Sequence, residues 1–181
     1  MHQFRYAALL AVGGTACGGG QPRGPGGTTL DVPSATASLV DSTGARAGVA
    51  TLSDSAGSGR LAVSVTGLTP GSHGMHIHES GTCTPPDFQS AGGHFNPTAK
   101  QHGAQNPEGP HAGDLPNLLV EEDGSADTTL AISSALLAEG PASMLGTQKR
   151  SFVIHADPDD EKTDPSGNSG ARVVCGVIER R

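Results

Sequence analysis

The chain has 181 residues, a length that fits one domain, and its 27 glycines, 13 prolines and scarce aromatic residues are typical of a loop-rich protein with an aliphatic core. Its formal charge of −7 argues against nucleic acid as a partner, because phosphate contacts need a basic surface. The same charge argues against binding to an anionic membrane surface.

The first 30 residues differ in composition from the rest of the chain. A single Arg5, a short apolar run at 7–12 and small residues before Cys17 are typical of an export signal. The apolar run is too short to span a bilayer as a helix. The pattern resembles a bacterial lipoprotein signal, although Gly14 stands where such signals usually carry leucine.

We therefore predict a signal peptide at 1–16, lipidation of Cys17, a flexible Gly-rich tether at 17–30 and one folded domain at 31–181. This organisation places the protein in the periplasm or cell envelope, anchored by its lipid. An ordinary cleaved signal peptide and a Gly-rich leader without a targeting role are the alternatives.

The three cysteines agree with export. If Cys17 is removed or lipidated, Cys83 and Cys175 remain as a pair, which an oxidising compartment would join. Closing a loop of about 90 residues would stabilise the folded state by about 4 kcal/mol. The alternative is a pair of buried free thiols.

From residue 31 onward, short segments of alternating apolar residues are separated by glycine-containing turns, a pattern that predicts strands. Leu61, Val63 and Val65 show the alternation most clearly. The predicted fold class is all-β, an eight-stranded antiparallel Greek-key barrel or sandwich. Its strands are predicted at 35–41, 47–53, 60–66, 74–79, 117–122, 127–132, 151–156 and 172–178.

Two long segments without strand signals, 80–116 and 157–171, interrupt this pattern. Long loops on a short domain are usually functional or disordered. The first segment contains four candidate metal ligands, which favours a function for it.

Seven of the eight histidines lie between residues 73 and 155, a concentration that indicates metal binding. His76 and His78 are two apart on a predicted strand, so both side chains leave the same face and can share one metal. Such a pair also occurs on ordinary strand faces. The long loop adds three nitrogen ligands and one oxygen ligand, a set typical of structural zinc: His94, His102, His111 and Asp114. A solvated polar loop is the alternative.

Six segments resemble, in the order found in that family, the copper/zinc superoxide dismutases. They are GSHGMHIHE at 71–79, GHFNP at 93–97, HG at 102–103, HAGDL at 111–115, VIHAD at 153–157 and GARVVCGVI at 170–178. The resemblance extends from about residue 35 to residue 178.

The resemblance implies copper and zinc as cofactors. The residues that match copper ligands are His76, His78, His94 and His155. Those that match zinc ligands are His94, His102, His111 and Asp114, so His94 would bridge the two metals.

Further matches surround the metals. Asp159 aligns with a carboxylate that hydrogen-bonds one histidine of each metal, and Arg172 aligns with the arginine that guides the anionic substrate. Cys83 and Cys175 match the intrachain disulfide of the family. His73 matches a histidine with a structural, hydrogen-bonding role.

The implied reaction is dismutation of superoxide to oxygen and hydrogen peroxide by Cu(II)/Cu(I) cycling, with zinc in a structural role, His94 as proton carrier and Arg172 as anion guide. The family pairs its barrels through different faces, so a homodimer is left open. The second loop is shorter than in many relatives, so Lys162 is either a steering residue or an ordinary exposed lysine. Non-enzymatic storage or delivery of copper and zinc, or a module ordered by zinc alone, are the alternative functions.

Overall fold

The structure, a computed structural model, describes residues 33–55, 57–138, 140 and 142–181. The predicted signal peptide, Cys17 and the tether lie outside the described residues. The described chain contains nine strands: β1 Pro33–Asp41, β2 Arg46–Ser55, β3 Ser58–Val65, β4 Gly71–His73, β5 Met75–His78, β6 Leu118–Val120, β7 Ala126–Ile132, β8 Ser151–His155 and β9 Arg172–Arg180.

Helical structure in the described ranges consists of two single-turn 3₁₀ helices, Gln89–Ala91 and Ser134–Leu136. Neither is long or apolar enough to cross a membrane.

Seven strands form one antiparallel sheet in the order β5, β8, β9, β1, β2, β3 and β7, and β4 pairs with β6 in a second, two-stranded sheet. Strands β1 to β3 follow one another as neighbours, whereas the chain then crosses to the opposite edge and later inserts β8 between β5 and β9. This curled antiparallel arrangement confirms the predicted all-β Greek-key barrel.

One predicted strand is divided in the structure. The segment predicted at 74–79 is β4 and β5, which belong to different sheets because β4 pairs with β6 and β5 pairs with β8. Gly74 lies between them and takes part in two backbone hydrogen bonds, from its N–H to the Asp157 carbonyl and from the His155 N–H to its own carbonyl. The chain therefore changes sheets at one residue, which hydropathy alternation cannot reveal.

The core is aliphatic, as predicted. In β3, the side chains of Leu61, Val63 and Val65 are buried and the intervening residues are not. Strands β5 and β8 are buried along their whole length, on both faces, because the histidines predicted as metal ligands occupy the face that the apolar core does not. These two strands therefore present histidines inside the protein.

β5 lies at the edge of the main sheet, and the long loop after it covers its free side. The Ile77 N–H donates to the Gly113 carbonyl at 2.8 Å, and the Phe95 N–H donates to the Ile77 carbonyl at 2.8 Å. Isolated bridges also pair His76 with Asp114 and His78 with His94. The loop is thus attached residue by residue to the strand that carries the first histidines.

Cys83 and Cys175 form the predicted disulfide, which joins the long loop to β9. Cys175 is fully buried and belongs to a small cluster with Phe88, Ala91 and Val153. A loop of this size, closed across 92 positions, contributes about 4 to 5 kcal/mol to stability in the chain-entropy description.

Candidate metal centre

Two groups of four side chains bring their potential ligand atoms within 4.8 Å of one another. One group is His76, His78, His94 and His155; the other is His76, His94, His102 and Asp114. The first equals the predicted copper set. The second shares three members with the predicted zinc set and contains His76 where His111 was predicted.

In the first group, each ring has one buried nitrogen without a hydrogen-bond partner. Among the described residues, four imidazole nitrogens of this group are buried and have no hydrogen-bond partner: His76 Nδ1, His78 Nε2, His94 Nε2 and His155 Nε2. Burying an unpaired nitrogen costs free energy unless something satisfies it. Four such nitrogens around one point suit a metal that prefers imidazole, which copper does.

The opposite nitrogen of three of these rings is held by the protein. His76 Nε2 is 2.6 Å from Asp159 Oδ2, His78 Nδ1 is 3.0 Å from the Gly92 carbonyl oxygen, and His155 Nδ1 is 3.2 Å from the Gly170 carbonyl oxygen. A ring nitrogen that donates to an oxygen carries the proton, which leaves the lone pair on the other nitrogen. The protein thereby selects the tautomer that can bind a metal.

The residues predicted to bind zinc, here called the zinc half of the site, are arranged around one carboxylate oxygen. Asp114 Oδ1 is 3.0 Å from His94 Nδ1, 3.1 Å from His102 Nδ1 and 3.2 Å from His111 Nδ1. His111 therefore does face the predicted set. Asp114 Oδ2 accepts the backbone N–H groups of Gly103 and His111, both at 2.9 Å. Three nitrogens and one oxygen are the donor set of a four-coordinate structural zinc.

Asp159 connects the residues predicted to bind copper with those predicted to bind zinc. Its Oδ2 contacts His76 Nε2 at 2.6 Å, and its Oδ1 contacts His102 Nε2 at 3.0 Å. The Asn117 side chain holds the main chain of Asp159 on both sides, accepting its N–H at 2.8 Å and donating to its carbonyl at 2.9 Å. Asn117 was not predicted as a site residue, because the sequence gives it no feature beyond its place at the start of the strand predicted at 117–122.

Burial decides the charge state of most of these histidines. It lowers the pKa of His78 to about 2, that of His155 to about 3 and that of His94 to about 4, and it also lowers the pKa of His76. These rings are therefore neutral near pH 7, which is the form that binds metals.

His102 has the opposite shift. Burial disfavours its charged form, but hydrogen bonds with Asp114 and Asp159 outweigh burial and raise the pKa of His102 to about 9. Burial likewise opposes ionisation of both aspartates, yet hydrogen bonding to His102 holds their pKa values well below the usual range. Near pH 7, this part of the site therefore contains two ionised aspartates and one protonated histidine, His102, whose proton can be exchanged.

A surface cleft of about 440 Å³ leads to these residues. His94, His155 and Arg172 line it. Arg172 Nη1 donates to the Phe88 carbonyl at 2.8 Å and Nη2 donates to the Gly92 carbonyl at 2.7 Å, so its guanidinium is fixed at the cleft wall. Among the described residues that line the cleft, Arg172 is the sole lysine or arginine, and Lys162 is exposed outside it.

His73 is buried but belongs to neither ligand group. Its Nδ1 is 2.7 Å from the His155 carbonyl oxygen, and its Nε2 is 2.8 Å from the Thr69 carbonyl oxygen. Both ring nitrogens are thus engaged with the backbone, which agrees with the structural role expected for this residue.

The chain resembles known proteins over most of its length. The family model described as copper/zinc superoxide dismutase (SODC) matches residues 46–178. The superoxide dismutase [Cu-Zn] of Caulobacter vibrioides is 44% identical over 151 residues, covering 81% of this chain and 86% of that protein. The superoxide dismutase-like protein YojM of Bacillus subtilis is 40% identical over 189 residues, covering 98% of this chain and 96% of that protein.

A crystal structure of a SOD-like protein from Bacillus subtilis superimposes with a TM-score of 0.76 at 41% identity, covering 80% of this chain and 97% of that one. Fold, sequence and the two adjoining ligand groups thus agree with one another. The chain belongs to the copper/zinc superoxide dismutase family, whose cofactors are copper and zinc.

Proposed function

We propose that the protein converts superoxide to oxygen and hydrogen peroxide, with copper held by His76, His78, His94 and His155 and zinc held by His94, His102, His111 and Asp114. The observation that carries this proposal is the set of four buried, unpaired imidazole nitrogens beside a cleft that contains Arg172. One similar protein is named only superoxide dismutase-like, so similarity alone does not establish the activity, whereas these residues support it.

The donor sets match the division of labour between the metals. When bound, copper alternates between Cu(II) and Cu(I) and so takes an electron from one superoxide and returns it to a second, whereas zinc has no redox chemistry. The four neutral imidazoles suit copper in both oxidation states. The carboxylate of Asp114 adds the charge and hardness that suit zinc.

His94 is placed to hold and release a proton. Its Nδ1 faces Asp114, while its Nε2 faces the first ligand group and its ring lines the cleft. Burial lowers the pKa of His94 to about 4, so the ring is neutral near pH 7 and carries one proton. With Nδ1 engaged on the Asp114 side, that proton would lie on Nε2, within reach of an oxygen anion in the cleft. The same ring belongs to both ligand groups, which makes it the bridge between them.

Arg172 supplies the attraction for substrate. The chain carries a net charge of −7, so a small anion approaches against the overall field and needs a local positive potential. The fixed guanidinium beside His94 and His155 provides one, with its donors already oriented by two carbonyls. A store or carrier of metal has no need for such a fixed cation, and this favours the enzyme over the storage alternative.

We further propose that the protein is exported and anchored through lipidated Cys17, with 1–16 as the signal peptide, 17–30 as the tether and 31–181 as the working domain. The disulfide between Cys83 and Cys175 supports export, because such bonds persist in oxidising compartments. The homodimer stays a prediction.

The first test of the activity is superoxide dismutation by the purified domain from residue 31 onward, loaded with copper and zinc. We expect rapid dismutation that disappears in His155→Ala and in a preparation that contains zinc but no copper, since either change removes the redox metal or one of its four ligands. Two tightly bound metals without turnover in the unmodified protein would instead identify a storage or delivery protein.

Arg172→Glu should slow dismutation by at least about 100-fold, because it replaces the attracting charge with a repelling one. Arg172→Lys keeps the charge but cannot donate to both the Phe88 and Gly92 carbonyls in the same planar arrangement, so we expect a smaller loss of activity. Metal content, measured by elemental analysis, should be unchanged in both variants. Turnover of Arg172→Glu at the unmodified rate would refute the assigned role.

Zinc should leave before copper when the pH is lowered. The pKa of His102 is about 9, so zinc must displace a proton below that pH, and its affinity should fall by up to about tenfold per pH unit. His78 and His155, with pKa values of about 2 and 3, already lack that proton, so copper affinity should change little between about pH 8 and pH 5. Dialysis against a chelator at each pH measures both, and copper loss that precedes zinc loss would contradict the assignment.

The lipid anchor is tested by metabolic labelling with a radioactive fatty acid in a bacterial host. The full chain should incorporate the label and sediment with membranes, and Cys17→Ala should do neither. A processed, unlabelled and soluble protein in the periplasm would support the ordinary signal peptide instead.

A further inference from the structure

A single peptide unit, the one between Gly92 and Gly93, connects two parts of the proposed copper site. Its carbonyl oxygen is 3.0 Å from His78 Nδ1 and 2.7 Å from Arg172 Nη2. One oxygen therefore orients both a proposed copper ligand and the proposed anion guide. The orientation of that peptide plane sets the direction of both side chains.

The N–H of the same peptide has a side-chain partner. Gly93 N–H donates to Glu79 Oε1 at 3.0 Å. Because a peptide unit is planar, holding its N–H also fixes the direction of its carbonyl oxygen on the opposite side. An oxygen that accepts this N–H also polarises the carbonyl and strengthens the two hydrogen bonds that the carbonyl receives.

Glu79 is itself held in place by the backbone around it. Its N–H donates to the Gly93 carbonyl at 2.9 Å, and its carbonyl accepts from Arg150 Nη1 at 2.7 Å. The Arg150 guanidinium lies 4.5 Å from the centre of the Phe95 ring, directly after His94 in the chain. The main chain of Glu79 is therefore fixed on both sides, which places its exposed side chain beside the Gly93 N–H.

The close approach of Glu79 depends on glycine at position 92. A Cβ at Gly92 would lie 2.8 Å from Glu79 Cγ and 2.9 Å from Oε1, and its φ of +75° is strained for any other residue. The backbone here is thus built around the carboxylate.

We propose that Glu79 is a positioning residue for the anion-binding side of the copper site, acting through the Gly92–Gly93 peptide on His78 and Arg172. Glu79 belongs to neither ligand group, so the proposed role is to position other residues and not to take part in electron or proton transfer. The inference rests on the proposed function, because it gives meaning to His78 as ligand and Arg172 as anion guide. The contact lies at the surface, so it contributes little to folding stability, and variants at this position should fold.

The test measures anion binding in place of turnover. The copper- and zinc-loaded protein is titrated with azide, a small anion that binds Cu(II), and the dissociation constant is read from the copper absorption spectrum. Glu79→Ala should weaken azide binding by about 10-fold, the lower end of the effect seen for residues that orient metal ligands, and should alter the Cu(II) electron paramagnetic resonance spectrum. Glu79→Gln keeps an acceptor oxygen and should stay within about twofold of the unmodified protein.

Loss of the Glu79 charge and loss of its hydrogen bond predict opposite changes in azide affinity, so the experiment separates the two effects. Removing a carboxylate near the cleft would by itself strengthen anion binding. Glu122→Ala, on the β6–β7 turn, makes the same charge change at an exposed residue that is not a partner of the peptide unit, and it should leave azide affinity unchanged. Only loss of the hydrogen bond explains weaker binding in Glu79→Ala with rescue in Glu79→Gln.

Two failures are distinguishable. An unmodified protein that binds no copper, or binds copper but no azide, overturns the proposed site and the inference with it. An unmodified protein that binds both, together with a Glu79→Ala variant of equal azide affinity and identical copper spectrum, overturns the inference alone. Equal losses in Glu79→Ala and Glu79→Gln also overturn it, since the acceptor oxygen is then not the cause.

Discussion

The metal centre depends on the backbone pairing of β5 along both of its edges. On one side β5 pairs with β8, which ends at His155, and on the other side it pairs with loop residues around Phe95 and Gly113. An edge strand exposes a row of unpaired backbone groups, and here the long loop satisfies them. As a result, backbone hydrogen bonds like those of a sheet fix the loop histidines relative to the strand histidines, although the loop itself contains almost no regular structure.

A second constraint is that every buried imidazole has two nitrogens and both must be accounted for. For His76, His78 and His155 the protein binds the outer nitrogen with a carboxylate or a carbonyl and leaves the inner one for a metal. Burial keeps these rings neutral, whereas carboxylates around His102 favour its proton. The two halves of one centre thus differ in electrostatics: one is a neutral nitrogen pocket and the other an anionic pocket.

Asp159 and the Gly92–Gly93 peptide perform similar tasks on opposite sides of the centre. Asp159 contacts one histidine of each half, so it fixes the orientation of one ring in each. The peptide contacts His78 and Arg172, so it links a proposed copper ligand to the proposed anion guide. Both act from outside the ligand set, and both are held by side chains remote in sequence. Asn117, directly before β6, holds Asp159, and Glu79, directly after β5, holds the peptide.

Sequence alone determined the fold class, the histidines that meet, the disulfide pair and the family, because these depend on residue type, on period-two alternation and on motifs preserved in order. Only the tertiary structure decided that the strand predicted at 74–79 divides at Gly74, since a change of sheet partner leaves no trace in hydropathy. It also decided that Asn117 holds Asp159 and that Lys162 lies outside the cleft. The contact between Glu79 and Gly93 belongs with these, because a hydrogen bond from a peptide N–H to a side chain 14 residues away depends on how the loop folds back. That path is a property of the closed backbone and not of any local pattern.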